Sequence, residues 1–147
     1  QKHVDKGNAE AQTVLGTEYR DGGPGLRRDF NRAVQLYQLA AAQGNAGAQD
    51  LLATRYARGQ GVEMDHKTVA LWYRRAAEQG FPVAQYNLGK GVAQSFDEAA
   101  RWYRLAAAQG EPNALFSLGT CYANGQGVPQ DFDEAIRNTD LGLGLCS

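Results

Sequence analysis

Residues 45–52, Asn-Ala-Gly-Ala-Gln-Asp-Leu-Leu, recur in modified form along the chain. Counterparts occupy residues 8–15, 81–88 and 111–118, and every copy directly follows a glycine, so that successive copies begin 37, 36 and 30 residues apart. Self-similarity at this spacing is typical of a solenoid, in which one small unit stacks on the next. The repeat therefore predicts an extended surface for other molecules rather than a catalytic pocket built from one unit.

The second copy contains the period of an α-helix. Ala48, Leu52 and Tyr56 follow one another at intervals of four residues, which places them on one helical face. Residues 59–62 then end this helix, because their glycines tolerate the left-handed conformation that a helix C-cap needs. Asp65 is a predicted N-cap for a second helix. Each copy is therefore predicted to fold as a helix–turn–helix.

The second helices share a stripe of alanine and aromatic residues. Its members are Ala33, Leu36, Tyr37, Ala40 and Ala41 in the first copy, Val69, Trp72, Tyr73, Ala76 and Ala77 in the second, and Ala99, Trp102, Tyr103, Ala106 and Ala107 in the third. Offsets of three, four, seven and eight residues are those of a helix. They predict an all-α fold class, and they place Trp72 and Trp102 in the core.

A small residue follows the leucine of each first helix. It is Gly16, Gly89 or Gly119 in three copies and Ala53 in the other. Glycine within a helix costs about 1 kcal/mol relative to alanine. Because that cost is repeated, we expect a neighbouring helix to approach so closely that a larger side chain would clash.

These residues resemble the Sel-one-like repeat (SLR) family, a relative of the tetratricopeptide repeat. The family motif runs roughly A-x-A-Q-x-x-L-G-x-x-Y-x-x-G-x-G-V-x-x-D-x-x-x-A-x-x-W-Y-x-x-A-A-x-Q-G. The second copy matches it from Ala46 to Gly80, and the first from Ala9 to Gly44. The resemblance implies a right-handed α-solenoid and a role as an adaptor that holds protein complexes together.

On this basis we predict a single α-solenoid domain over residues 1–147. Its repeats are 8–44, 45–80, 81–110 and 111–147, and residues 1–7 resemble the end of a preceding repeat, as in a fragment of a longer array.

Two copies depart from the motif. The third lacks six residues between Gly89 and Gly91, so its motif tyrosine and the last turn of its first helix are missing. In the fourth, residues 137–139 (Arg-Asn-Thr) replace the bulky run of the other second helices, and Gly142 and Gly144 weaken the helix further. A stunted third unit is expected, followed by a last helix that is frayed or serves as an atypical cap.

The sequence predicts no catalytic residue, cofactor or metal ion. Net charge is −1, whereas nucleic-acid binders usually carry a basic excess, so no nucleic-acid partner is expected. No apolar run reaches the length of a membrane span, so membrane insertion is not expected either. His3 and His66 lack ligand partners, and Cys121 and Cys146 lack metal-binding spacing.

Two pairs of residues have a spacing that a catalytic pair on a helix would also have. Ser95 precedes Glu98 by three residues, and Asp131 precedes Glu134 by the same interval. Both lie at the repeat position that also holds Asp29 and Asp65, where a capping box would begin the second helix. Capping is therefore the favoured interpretation.

We expect the first helices to line a concave groove that binds a partner. In each first helix, the predicted lining positions lie two residues before the motif leucine, two residues after it, and one helical turn beyond that second position. These candidate residues are Thr13, Thr17, Asp21, Asp50, Thr54, Arg58, Tyr86, Lys90, Phe116, Thr120 and Asn124. Tyr86 and Phe116 occupy equivalent positions, so they either form a two-ring apolar patch in the groove or fill the space left by the shortened third copy.

The leading functional hypothesis is a non-enzymatic scaffold that binds a peptide or a helix of a protein partner. A second is a hydrolase of the amide or β-lactam type, by analogy with a cysteine-rich subgroup of the resembling family. A third is a passive or regulatory repeat segment of a larger protein.

Overall fold

The structure is a computed structural model that describes residues 2–92 and 95–145, with side chains from Asn8 onward. These described residues form eight α-helices, and an isolated antiparallel bridge joins Gly23 to Leu26. The helices are α1 (Lys2–Asp21), α2 (Phe30–Ala42), α3 (Ala46–Arg58), α4 (His66–Glu78), α5 (Pro82–Gly91), α6 (Phe96–Ala108), α7 (Pro112–Asn124) and α8 (Phe132–Gly142). The predicted all-α fold class is confirmed.

The chain divides into two compact units, Gln1–Gln79 with α1–α4 and Gly80–Ser147 with α5–α8. Consecutive helices within each unit pack against each other. In the first unit, the buried core includes Tyr37 and Leu52, and Trp72 packs against it. In the second, it includes Tyr103 and Leu118. Each core thus joins the aromatic stripe of the second helices to the leucines of the first helices.

Side-chain caps begin the second helices. Each cap accepts a hydrogen bond from a backbone N–H in the first turn of its helix, and the four caps are Asp29, Asp65, Ser95 and Asp131. The predicted capping role is confirmed. It gives Ser95 and Asp131 a structural task that explains their spacing from Glu98 and Glu134.

The small residues of the first helices allow the tyrosines of the second helices to approach closely. A Cβ atom added to Gly16 would lie 2.8 Å from Tyr37 Cε1, and one added to Gly89 would lie 2.8 Å from Tyr103 Cε1. Carbon atoms pack best at about 3.5–4.0 Å, so neither ring leaves room for a methyl group. The predicted close approach is confirmed.

A pair of glutamines links the two helices of each of the first three repeats. The Nε2 atoms of Gln43, Gln79 and Gln109 donate to the Oε1 atoms of Gln12, Gln49 and Gln85 at 2.8, 2.8 and 2.9 Å. Gln49 also donates to the backbone oxygen of Ala41 at 3.2 Å, which joins the second repeat to the first. The fourth repeat has Leu115 at the first-helix position of this pair.

The chain differs from the regular repeat at three places. Helix α1 runs from Lys2 to Asp21 and continues through Gly7. The shortened first helix of the third repeat is present as α5, with 10 residues against 13 in α3 and α7. Helix α8 has 11 residues and ends at Gly142, and Gly144 beyond it has a φ of 75°.

Turn glycines contact the second helix of the preceding repeat. A Cβ atom on Gly61 would lie 2.4 Å from the backbone oxygen of Phe30, and one on Gly127 would lie 2.2 Å from that of Phe96. Gly59 lies in the same turn as Gly61 and is also left-handed, but the nearest atom to its added Cβ is 3.8 Å away. Gly61 and Gly127 therefore let one repeat approach the backbone of another.

Thr139 of α8 occupies the position that tyrosine holds in the other second helices. Its hydroxyl donates to the backbone oxygen of Ala135 at 2.8 Å. A pocket of about 370 Å³ opens beside it, lined in part by Gly119, Thr120 and Ile136. The missing aromatic ring thus leaves a space between α7 and α8.

We expect Gly61→Ala to lower the free energy of unfolding by about 3 kcal/mol or more, because it adds a clash with a backbone carbonyl to left-handed strain. Gly59→Ala adds the strain alone and should cost about 1–2 kcal/mol. Chemical denaturation of both variants measures the difference. Equal losses would contradict a role for the contact with Phe30.

Thr139→Tyr should raise the free energy of unfolding by about 1–2 kcal/mol, because its ring would fill the pocket and its hydroxyl would reach Thr120. Thermal unfolding of this variant, with Thr139→Phe as the control without a hydroxyl, measures the ring and the hydrogen bond separately. A lower melting temperature for both variants would contradict the assignment of the pocket to the missing ring.

Candidate partner-binding site

The threonines predicted to line the groove bond within their own unit. Thr13 donates to a backbone oxygen one turn earlier at 2.7 Å. The hydroxyls of Thr17 and Tyr37 lie 3.0 Å apart, and those of Thr54 and Tyr73 lie 2.7 Å apart. Thr17 and Thr54 therefore link the first helix of a repeat to the second.

Asp50 lies in the interior of the first unit, with 6% of its surface exposed. Burial raises the pKa of the Tyr73 hydroxyl, the negative charge of Asp50 raises it further, and the hydrogen bond with Thr54 opposes the change. The raised pKa extends to higher pH the range over which Tyr73 keeps its proton and can act as a hydrogen-bond donor.

Asp21, Thr54 and Arg58 line one pocket of the first unit, which has a volume of about 410 Å³. Its wall also contains six residues outside the predicted groove, which are Arg20, Arg28, Phe30, Leu51, Arg55 and Gln60. We call this the arginine pocket, since four of its nine lining residues are arginines and one is a carboxylate.

Arg55 is the most buried arginine of this pocket, with 4% of its surface exposed. Its Nε atom is buried and has no hydrogen-bond partner among the described residues. Its guanidinium carbon lies 5.8 Å from the centroid of the Phe30 ring, and that of Arg28 lies 5.4 Å from the same centroid. Burial lowers the pKa of Arg55, and the charges of Arg20 and Arg58 lower it further.

Asp21 is exposed and already bound to a neighbouring arginine. Arg20 Nε and Nη2 donate to its two carboxylate oxygens at 2.8 and 3.0 Å. This hydrogen bonding with Arg20 holds the pKa of Asp21 below its usual value. The negative charge of Asp21 therefore neutralises that of Arg20, and the other three arginines leave the pocket with a net positive charge.

In the second unit, Tyr86 belongs to the packing between helices. Its ring centroid lies 5.9 Å from that of Tyr103, and Lys90 Nζ lies 5.3 Å from the Tyr86 centroid. Phe116, at the equivalent position on α7, has 36% of its surface exposed. The two rings thus differ in environment, and the patch that they could form remains a prediction.

The remaining predicted residues, Thr120 and Asn124, are exposed on α7. Cys121 beside them is buried, and burial raises the pKa of its thiol. Cys146 lies outside the described residues. Over the part of the chain that the structure describes, no group of His, Cys, Asp and Glu side chains could hold a metal ion, and no helix is long and apolar enough to cross a membrane.

The sequence did contain a signal for the arginine pocket. Arg55 lies seven residues after Ala48 and three after Leu52, which places a charge on the apolar stripe of α3. Cys121 holds the equivalent position in α7 and is buried. A charged residue at a core position is uncommon unless it has a partner.

The Sel1 repeat model matches residues 9–45, 46–81, 82–111 and 112–138. The chain belongs to the Sel1 repeat family. A protective antigen of uropathogenic Escherichia coli that displays an SLR fold has a TM-score of 0.87 and 34% identity to this chain, over 99% of this chain and 32% of that one. A Sel1 repeat protein from Oxalobacter formigenes has a TM-score of 0.86 and 31% identity, over 96% and 58%. The predicted SLR solenoid class is confirmed.

Two curated relatives match shorter stretches. Chitin synthase regulatory factor 3 of Schizosaccharomyces pombe is 35% identical over 69 residues, which are 47% of this chain and 7% of that protein. The Arabidopsis thaliana protein HRD3A, a component of an ERAD-associated E3 ubiquitin-protein ligase, is 40% identical over 58 residues, 40% of this chain and 9% of that protein. The chain spans less than a tenth of the length of either protein.

Tyr86→Ala should lower the free energy of unfolding by about 2 kcal/mol or more, because it removes a ring packed against Tyr103. Phe116→Ala should cost less than Tyr86→Ala, about 1 kcal/mol, since 36% of the Phe116 surface is already exposed. Denaturant unfolding of the two variants gives the comparison. A larger loss for Phe116→Ala would show that Phe116 is the ring that supports the fold.

Proposed function

We propose that this chain is a non-enzymatic scaffold that binds a peptide or a helix of a protein partner in a groove lined by its first helices. Membership of the Sel1 repeat family is the observation that carries the proposal. Core positions hold alanine, leucine and tyrosine from repeat to repeat, whereas exposed first-helix positions hold Asp21, Arg58, Lys90 and Phe116. Such a constant core with a varied surface suits recognition of other chains.

The curated relatives support an adaptor role. One is named as a regulatory factor for chitin synthase and the other as a component of a ubiquitin ligase. Both names describe proteins that act with an enzyme. We extend the same class of role to this chain, with a partner that remains to be identified by experiment.

The hydrolase alternative gains no support from the candidate nucleophiles. Ser95 caps α6. Cys121 is buried, and its raised pKa favours the thiol over the reactive thiolate. We therefore favour binding over catalysis.

The test begins with a partner that co-purifies with the full-length protein and is then expressed and purified by itself. The double variant Lys90→Glu/Phe116→Ala changes two exposed positions of first helices, and we expect its affinity for that partner to fall about tenfold or more. Isothermal titration calorimetry measures this dissociation constant.

Arg104→Glu is the matched control, because Arg104 is exposed on α6, a second helix. It should bind the partner and unfold as the wild type does. The double variant should remain folded at the temperature of the binding measurement, which circular dichroism checks. Undiminished binding by the double variant would overturn the assignment of the surface to the first helices.

A further inference from the structure

The arginine pocket of the first unit carries a positive charge that its own wall does not neutralise. Four arginines and one carboxylate line it. The carboxylate, Asp21, is bound through both oxygens to Arg20. Arg28 and Arg55 instead face the ring of Phe30, which supplies only a weak attraction for a cation.

Two buried atoms in this wall have no partner. Arg55 Nε is a donor and Gln60 Oε1 is an acceptor, and these are the two buried side-chain atoms without a hydrogen bond among the described residues. A buried donor or acceptor without a partner is unfavourable, and natural structures rarely keep one. That both atoms belong to one pocket indicates a ligand rather than two independent defects.

The chemistry of the missing ligand follows from these groups. Guanidinium groups bind carboxylate and phosphate oxygens through charge-assisted hydrogen bonds. A protonated phosphate oxygen could donate to Gln60 Oε1, and a 180° rotation of the Gln60 amide would present a donor to a carboxylate instead. A pocket of about 410 Å³ has room for either group, because a water molecule occupies only about 30 Å³.

We propose that the arginine pocket binds an oxyanion, a phosphate or carboxylate group carried by the partner peptide, with Arg55 as its central ligand. This inference rests on the proposed scaffold function. It adds the chemistry of the group on the partner that the first unit recognises. Arg58, which is exposed at the pocket, meets the anion as it enters, and Asp21 opposes its binding.

The experiment uses the anions alone, so that it does not depend on the identity of the partner. Inorganic phosphate or acetate is added to the full chain at constant ionic strength, with chloride as the reference. The melting temperature and the NMR signal of Arg55 Nε–H are recorded. We expect a saturable rise in melting temperature and a shift of the Arg55 signal with at least one anion.

Three variants test the residues. Arg55→Met should weaken binding of the effective anion about tenfold to a hundredfold. In chloride alone it should unfold at or above the wild-type temperature, because it removes a buried guanidinium whose Nε has no hydrogen-bond partner among the described residues. Asp21→Asn should bind the anion about threefold to fivefold more tightly, since it removes the opposing charge. Arg104→Met should behave as the wild type.

Each outcome decides the proposal. A response to phosphate alone makes the recognised group a phosphate, a response to acetate alone makes it a carboxylate, and a response to both supports a site for either oxyanion. No response to either anion overturns the site, as does a response that survives Arg55→Met. A lower melting temperature of Arg55→Met in chloride, without any anion response in the wild type, would make Arg55 a structural residue held by Phe30.

The two proposals fail separately. If the purified partner binds Arg55→Met as tightly as the wild type, then the peptide-borne oxyanion is wrong and the scaffold function stands. If the anion binds as expected and the full-length protein captures no partner, then the pocket stands and the scaffold function fails.

Discussion

In the first and third repeats, a tyrosine ring of the second helix packs directly against a glycine of the first helix, and this contact sets how closely the two helices pair. Tyr37 and Tyr103 lie so close to Gly16 and Gly89 that a methyl group would not fit. Glycine costs helix stability, about 1 kcal/mol relative to alanine. The gain is a buried aromatic ring whose hydroxyl, in the first repeat, reaches Thr17 one residue further along. Close helix pairing therefore outweighs local propensity.

The irregular repeats show how this contact adapts. In the third repeat Lys90 stands where Thr17 and Thr54 stand, and its ammonium group lies over the Tyr86 ring. No threonine stands opposite Tyr103 in this repeat, and burial raises the pKa of its hydroxyl. The helices remain paired because the ring, and not its hydroxyl, provides most of the buried surface.

In the arginine pocket, a residue that binds a ligand is kept at a cost to the stability of the fold. An α3 position that corresponds to buried Cys121 in α7 holds Arg55. An apolar residue there would complete the core at lower cost, because the buried Arg55 guanidinium loses hydration and its Nε regains no hydrogen bond within the described residues. Local violations of the rules of packing are expected at sites where a protein binds something else. The buried charge of Arg55 is therefore better understood as a recognition group than as a support of the fold.

The sequence by itself determined the helices, their caps and their close pairing. These features depend on short spacings, such as the interval from Ala48 to Leu52 or the capping position of Asp65, and neighbouring residues fix them through backbone geometry. It also identified Asp21, Thr54 and Arg58 as members of a shared surface. Only the tertiary structure decided that Asp50 is buried and that the arginines of α1, α3 and the segment before α2 surround one pocket. Distances between side chains on different helices depend on how those helices pack, and no local spacing in the chain records that packing.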